Sequence, residues 1–352
     1  MSDTTSRIRE KIQADLDERR EFKTADILIA FPGHEKLVRY VVGQMLKGRE
    51  ILKIGKTRAA YYVPGTKKNA QALVHEASSW KKTYPNTGTS EADVYDAVVA
   101  EMPKLGLLHE NVKSIFDYAF SEMVNNAIDH SGSDTIDVTV NVGDGKLIFT
   151  VEDAGIGVFE NVKRKRGLAS HYEAALDVLK GKTTTAPDRH SGEGIFFTSK
   201  AADVFVLESQ GLRLTVDNRI PDTFLEEIAV RAGTRVRFEI SLNSTRHLNK
   251  DVFMPYSLDL EEPAFDKTVI HVKLYKYGTA QISRSQAHRL LAGLEKFKKI
   301  VLDFERVPSV GQAFADEVFR VFQKRHQDIS LEYMNANEAV RYMIERAKRN
   351  QS

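Results

Sequence analysis

The chain has 352 residues, enough for two or three domains that each bury a core, and its 42% apolar and 28% charged content is that of an ordinary water-exposed protein. A net charge of +2 is too small to argue for any partner, and the complete lack of Cys excludes a disulfide framework, thiolate metal sites and thiol catalysis, which fits a reducing cytoplasm. No apolar run approaches membrane-spanning length and Met1 to Arg20 is charged throughout, so neither a transmembrane helix nor a secretory signal is expected and the expected location is cytoplasmic.

In chain order, Ile8, Ile12, Leu16 and Phe22 mark a first helix. Thr24 is placed to cap a second through Ile27 and Leu28, and Leu37, Val38, Val41, Val42, Met45 and Leu46 mark a third that stops at Gly48. Ile51 to Pro64 reads as two short strands around a basic turn. Three helices and a hairpin are similar to a winged helix-turn-helix over residues 1–66, with Gly33 to Lys47 as recognition helix. Lys36, Arg39 and Gln44 would face outward from that helix and Lys53, Lys56 and Arg58 from the wing, where cations meet the phosphates of duplex DNA. Glu35 and Glu50 dilute this cluster, so a module used only for protein contacts, or a mere helical cap, competes with DNA binding.

Lys67 to Ser90 mixes Lys, Asn, Ser, Pro and Gly with one strong aromatic, Trp80, and residues 67–100 read as a linker with some helix. The pair His75-Glu76 superficially resembles a sensor-kinase phosphoacceptor, but the basic, Pro-containing continuation is missing and an exposed, inactive His is expected.

From Asn111 to His130 apolar residues recur at helical spacing through Ile115, Ala119, Met123 and Ala127, while Glu122, Asn126 and Asp129 fall at i, i+4 and i+7 along the other face. A carboxylate one turn from a carboxamide suits a hydrated magnesium ion shared with phosphate oxygens, and leaves the acid to orient an attacking water. Thr135 to Val142 and Lys146 to Val151 alternate as strands around Gly143-Asp144-Gly145, so Asp153 emerges at a strand end. An acceptor-only carboxylate there can receive an amine such as the adenine N6 group, and Gly155 and Gly157 let backbone approach the ligand. Further on, His190-Ser191-Gly192-Glu193-Gly194 opens an apolar helix from Ile195 to Ala202, and amides at a helix start suit a phosphate. Taken singly, Asp-x-Gly-x-Gly is a common turn and the polar helix face is merely solvated. Together, Asn125 and Asn126 side by side inside a helix cost propensity, and three glycine-bearing pieces follow in fixed order, which favours a split nucleotide site.

These residues resemble the N box, G1 box and G2 box of the GHKL ATPase superfamily, which contains gyrase, Hsp90, histidine kinases, MutL and the anti-sigma-factor serine kinases. Gly233-Thr234-Arg235-Val236-Arg237-Phe238 resembles the Gly-Thr and closing strand of the same domain, and the resemblance covers about Leu105 to Leu242. It implies a Bergerat α/β sandwich over residues 101–245 that binds ATP with Mg²⁺. By analogy Glu122 is the general base and Asn126 the magnesium ligand, with Asn125 and Asp129 beside them. Asp153 reads adenine, next to Gly155 and Gly157. Ser191, Gly192 and Gly194 belong to the lid, and Thr234 contacts the adenine or α-phosphate region. The acid four residues before Asn126 makes the motif closer to the gyrase and anti-sigma-kinase form than to the sensor kinases.

The last third alternates strand and helix: Val269 to Leu274, Arg284 to Phe297, Lys299 to Phe304, Gln312 to His326, Ile329 to Tyr333 and Ala336 to Lys348. Ile300 to Glu317 resembles STAS-like domains, relatives of the anti-sigma-factor antagonists, especially the branch ending Phe-Ala-Asp-Glu. The antagonists carry a phosphorylated Ser at the start of that helix. Here Gln312 and Ala313 stand nearest and neither has a hydroxyl, while Ser309 lies upstream, which argues against phosphorylation in cis.

The expected architecture is a multi-domain α/β chain: winged helix-turn-helix (1–66), linker (67–100), GHKL sandwich (101–245) and a small STAS-like α/β domain (260–352). The expected function is a Mg-ATP-binding regulator, a slow ATPase switch coupling nucleotide state to DNA or to a regulatory protein held by the STAS-like domain. A lid from about Val162 to Ser191, with phosphate-seeking Lys163, Arg164, Lys165 and Arg166, would order on binding. A protein serine/threonine kinase of the anti-sigma type and a non-hydrolysing, nucleotide-sensing transcription regulator are the alternatives.

Overall fold

The computed structural model describes residues 3–54, 60–66, 69, 78–182, 192–259, 261, 264–276 and 282–349. Lys56, Arg58, His75, Glu76, Ser191 and the stretch 183–191 lie outside the described residues. Two compact units divide the chain: one holds residues 1–78 with 102–108 and 142–145, the other holds the rest. Among the described residues no helix is long and apolar enough to cross a membrane.

The first unit is built from helices α1 (Asp3–Arg19), α2 (Thr24–Ala30) and α3 (Glu35–Lys47) and the antiparallel strands β1 (Ile51–Ile54) and β2 (Tyr61–Pro64). Ile8, Ile12, Leu16, Ile27, Val38, Val41, Val42 and Met45 fall at helical spacing and close into one core with Ile51 and Tyr62. Phe22 exchanges backbone hydrogen bonds with Tyr62 at 2.8 and 2.9 Å and stacks on its ring at 4.9 Å, pinning the helices to the hairpin. Thr24 does not cap α2. It is the first helical residue, and Lys23 holds the cap position without a side-chain bond. Lys36, Arg39, Gln44 and Lys53 are all exposed. Glu50 is taken up by Arg9 at 2.8 Å.

The second unit contains a seven-stranded sheet in the order β3-β4-β5-β9-β6-β7-β8. Its strands are β3 (Ser78–Pro85), β4 (Thr135–Gly143), β5 (Lys146–Asp153), β6 (Val204–Ser209), β7 (Leu212–Asp217), β8 (Asp222–Glu227) and β9 (Thr234–Ser241). The turn between β4 and β5 is Asp144-Gly145 with φ of 51° and 73°, the two positive values that a tight hairpin of matching twist requires. One face alternates into the core: Phe149 of β5 stacks on Phe238 of β9 at 4.8 Å and meets Phe116 and Phe120 edge-on from helix α5 (Glu110–His130).

Residues 78–100, read from the sequence as part of a linker, instead hold strand β3 and nearly all of helix α4 (Glu91–Glu101). The strand buries only Trp80 and Tyr84 and exposes Lys81, Lys82 and Thr83, a charged edge strand that resembles a solvated connector. Trp80 Nε1 donates to Glu101 at 3.1 Å, tying strand to helix.

Past β5 the chain forms α6 (Val158–Arg166), α7 (His171–Lys180) and α8 (Gly194–Ala201). The run Lys163 to Arg166, expected as a phosphate-seeking lid, is the last turn of α6: Lys163 and Arg164 pair with Glu160, and Arg166 pairs with Asp177 at 3.2 Å. Gly167, at φ 64°, stops that helix.

The C-terminal part is a parallel sheet of β10 (Lys267–His271), β11 (Lys299–Asp303) and β12 (Ser330–Met334). Helices α9 (Arg284–Leu291), α10 (Gln312–Asp316), α11 (Gln323–Arg325) and α12 (Glu338–Arg349) accompany it, α10 running into α11 through a wide turn at Glu317–Phe322. The helix expected over Arg284 to Phe297 ends at Leu291, because Gly293 at φ 81° turns the chain out.

Candidate nucleotide site

Three neighbouring strands make the floor of one cavity of about 270 Å³. Val151 of β5 stands opposite Val236 of β9, which stands opposite Leu207 of β6, so the three side chains form one cross-strand row. Met123, Ala127, Val158, Val162, Val178 and Ile195 add apolar wall from α5, α6, α7 and α8. Such a slot accepts a flat ring that carries few polar atoms.

Asp153 follows Val151 by two residues and so lies on the same face of β5. It is 6% exposed. Its Oδ1 accepts from Gly155 N at 2.9 Å and Thr234 N at 3.3 Å, while Oδ2 has no such bond among the described residues. Burial pushes the carboxyl up from its ordinary value; the two N–H groups and the Arg231 charge oppose that. An oxygen acceptor with one lobe held and one open at the end of an apolar slot can orient an amine-bearing ring.

The glycines around Asp153 are steric requirements. A side chain at Gly233, already at φ 72°, would collide with the Asp153 backbone carbonyl. One at Gly155 would strike the carbonyl of Ser131, where α5 ends and where Ile156 N donates at 2.8 Å. Gly157, at φ 82°, precedes α6, and a Cβ there would meet Gly233 O at 2.9 Å. Thr234 joins these pieces, accepting from Val158 N at 2.9 Å through its hydroxyl while its own N–H serves Asp153.

The same cavity is lined by Glu122, Asn125 and Asn126 of α5 and by Gly192 and Gly194 at the start of α8. The carboxylate of Glu122 fills the space that any Cβ on Gly194 would occupy, placing it against the partly positive N-terminus of α8. Tyr118, one turn earlier, is pushed well above its ordinary value by burial and by the charges of Glu122 and Glu193. Asn126 supplies an amide oxygen one turn from the Glu122 carboxylate. Among the described residues no cluster of three or more His, Asp or Glu could hold a metal by itself. A carboxylate and an amide oxygen one helical turn apart are hard oxygen donors of the kind that suits magnesium completed by phosphate oxygens and water.

Of the residues expected from the sequence, Glu122, Asn125, Asn126, Asp153, Gly192, Gly194 and Thr234 line the one cavity. Gly155 and Gly157 shape its backbone without lining it. Asp129 is exposed and lies outside the lining, and His130 and Ser131 stand there instead. Asn161 of α6 was not anticipated, since a lone polar residue near a Lys/Arg run carries no pattern.

Residues 112–244 match the family model of the histidine kinase-, DNA gyrase B- and HSP90-like ATPases. Residues 286–341 match a STAS-like domain of unknown function. A search of curated proteins finds no match to the chain. The chain therefore carries a GHKL-type ATPase domain, with its antiparallel sheet, and a C-terminal STAS-like domain.

Proposed function

We propose that residues 101–245 bind Mg-ATP at this cavity and that the protein is a slow ATPase switch, coupling nucleotide state to DNA or protein binding. The observation that carries the reading is the convergence of Asp153, Asn126 and Glu122 along one slot that ends at the start of α8. The Val151, Val236 and Leu207 row receives the adenine face and Asp153 Oδ2 its exocyclic amine. Backbone amides around Gly192 and Gly194 take phosphate oxygens. Magnesium, when bound at Asn126, supplies charge neutralisation on the phosphates. Glu122 accepts a proton from water held beside the terminal phosphate, the part of the site that lowers the barrier rather than the ground state.

The same geometry with a protein hydroxyl in place of water is a serine/threonine kinase. A STAS-like domain in the same chain favours this second reading, although Gln312 and Ala313 lack hydroxyls, so the acceptor would be a separate protein. In the N-terminal domain (1–66) the exposed Lys36, Arg39, Gln44 and Lys53, with Lys56 and Arg58, are proposed to meet duplex DNA as a winged helix. The STAS-like domain (260–352) is proposed to hold a regulatory protein, and a cytoplasmic location is consistent with the absence of Cys.

Incubation with γ-labelled ATP, with and without duplex DNA and candidate proteins, separates the readings. Label released as phosphate identifies the ATPase and label on protein the kinase. Intact binding with neither leaves a nucleotide-sensing regulator and ends the catalytic role of Glu122.

A further inference from the structure

Helix α7 faces two ways. Val178 lines the nucleotide cavity. Its other side chains grip the C-terminal domain: the Tyr172 hydroxyl donates to Leu274 O at 2.7 Å, and Glu173 pairs with Arg289 at 3.0 Å. Lys180 Nζ donates to Arg289 O and Ala292 O at 2.8 and 2.7 Å, and the Lys180 carbonyl accepts from the Thr268 hydroxyl at 2.8 Å.

Lys180 is the centre of this grip. It is only 4% exposed, and its charge is met by Asp177 at 3.4 Å and by carbonyls at the end of α9 that lack a partner inside their own helix. Burial lowers its pKa and Asp177 offsets that in part, so removing either set of partners would strand a desolvated cation. Asp177 also receives Arg166 from the last turn of α6, the helix that begins where Thr234 takes the Val158 amide. Two walls of the cavity, α6 and α7, therefore converge on one buried carboxylate beside the STAS-like domain.

We propose that the STAS-like domain regulates the nucleotide site by holding α7 against the cavity, with Lys180 and the Glu173–Arg289 pair as the grip. This rests on the nucleotide-binding reading given above. Holding Val178 in the wall keeps the slot formed before ATP arrives, which raises affinity by removing a cost of binding. Linkage then requires ATP to tighten the grip by the same factor, and anything that pulls the STAS-like domain from α7 to release ATP.

The test uses the full chain and a fluorescent ATP analogue with Mg²⁺, titrated by anisotropy, together with amide hydrogen exchange. Lys180→Met, which keeps the apolar stem and removes the charge, should weaken binding about 5-fold or more. Glu332→Gln, at an exposed position on β12 that pairs with Lys299, should leave it unchanged. In the wild type, saturating ATP should slow exchange in α9, which contributes nothing to the cavity lining; this holds the proposal to account even where Lys180→Met fails to fold. Binding by Lys180→Met within 2-fold of wild type, or α9 exchange indifferent to bound ATP, overturns the grip and leaves the nucleotide site standing. Absence of analogue binding by the wild type overturns the nucleotide reading itself.

Discussion

The Glu122 carboxylate occupies the space that any side chain on Gly194 would need, so the proposed base on α5 and the start of α8 are mutually dependent. Gly194→Ala gains up to about 1 kcal/mol of helix propensity, and the flexible end of Glu122 can swing aside, so the fold survives. The Glu122 carboxylate is then displaced, and with it the base proposed above. Phosphate release should fall about 100-fold or more, the usual contribution of a positioned general base, with an unchanged or raised melting temperature. Steady-state phosphate release measured beside a melting curve checks this; full activity in Gly194→Ala would remove Glu122 from the chemistry.

Gly233→Ala should behave in the opposite way. Its φ of 72° already costs an L-residue about 1–2 kcal/mol, and the new methyl meets backbone, the Asp153 carbonyl, which cannot swing aside. Lower stability together with lost ATP affinity is expected in denaturant melts with and without nucleotide. A stable variant that binds ATP normally would show that Asp153 does not depend on this close approach.

Lys200 on α8 is held down to about 8 from 10.5 by burial, and among the described residues no carboxylate pairs with it. Below pH 8 it is charged both folded and unfolded, and the folded state bears the desolvation cost. Between pH 8 and 10.5 the folded state releases the proton first, so this group makes stability rise with pH. Lys200→Met removes the cost at neutral pH. After loss of the contact over the Phe196 ring, at 5.4 Å, a gain of about 1–2 kcal/mol at pH 7 remains, with a flatter pH 8–10 profile. Melting curves across that range check it, and a destabilised variant at pH 7 would mean that the ammonium is solvated.

Much of this site was legible because its chemistry sits on strongly periodic elements. Helix α5 shows its apolar stripe and its acid–amide spacing in one dimension, and β4 and β5 alternate cleanly about Asp144-Gly145. The floor was not legible: Val151, Val236 and Leu207 are three unremarkable apolar residues until strand register places them in one row. Strand β3 was hidden for a related reason, since an edge strand needs only Trp80 and Tyr84 inside and can be polar elsewhere. Lys163 to Arg166 looked like a phosphate-seeking loop because charge runs carry no record of their partners; Glu160 and Asp177 claim three of the four. Asp129 kept the helical spacing of Glu122 and Asn126, yet it is exposed where the cavity turns to His130 and Ser131.

Thermal unfolding of the full chain with millimolar Mg-ATP, for the wild type beside Asp153→Asn and Asn126→Ala, tests the central claim most directly. A ligand at 100 times its Kd adds about 2.7 kcal/mol of stability, so the wild type should melt several degrees higher with nucleotide and both variants should lose most of that shift. An unchanged wild-type curve, or a shift that survives in both variants, would contradict a nucleotide site built on Asp153 and Asn126.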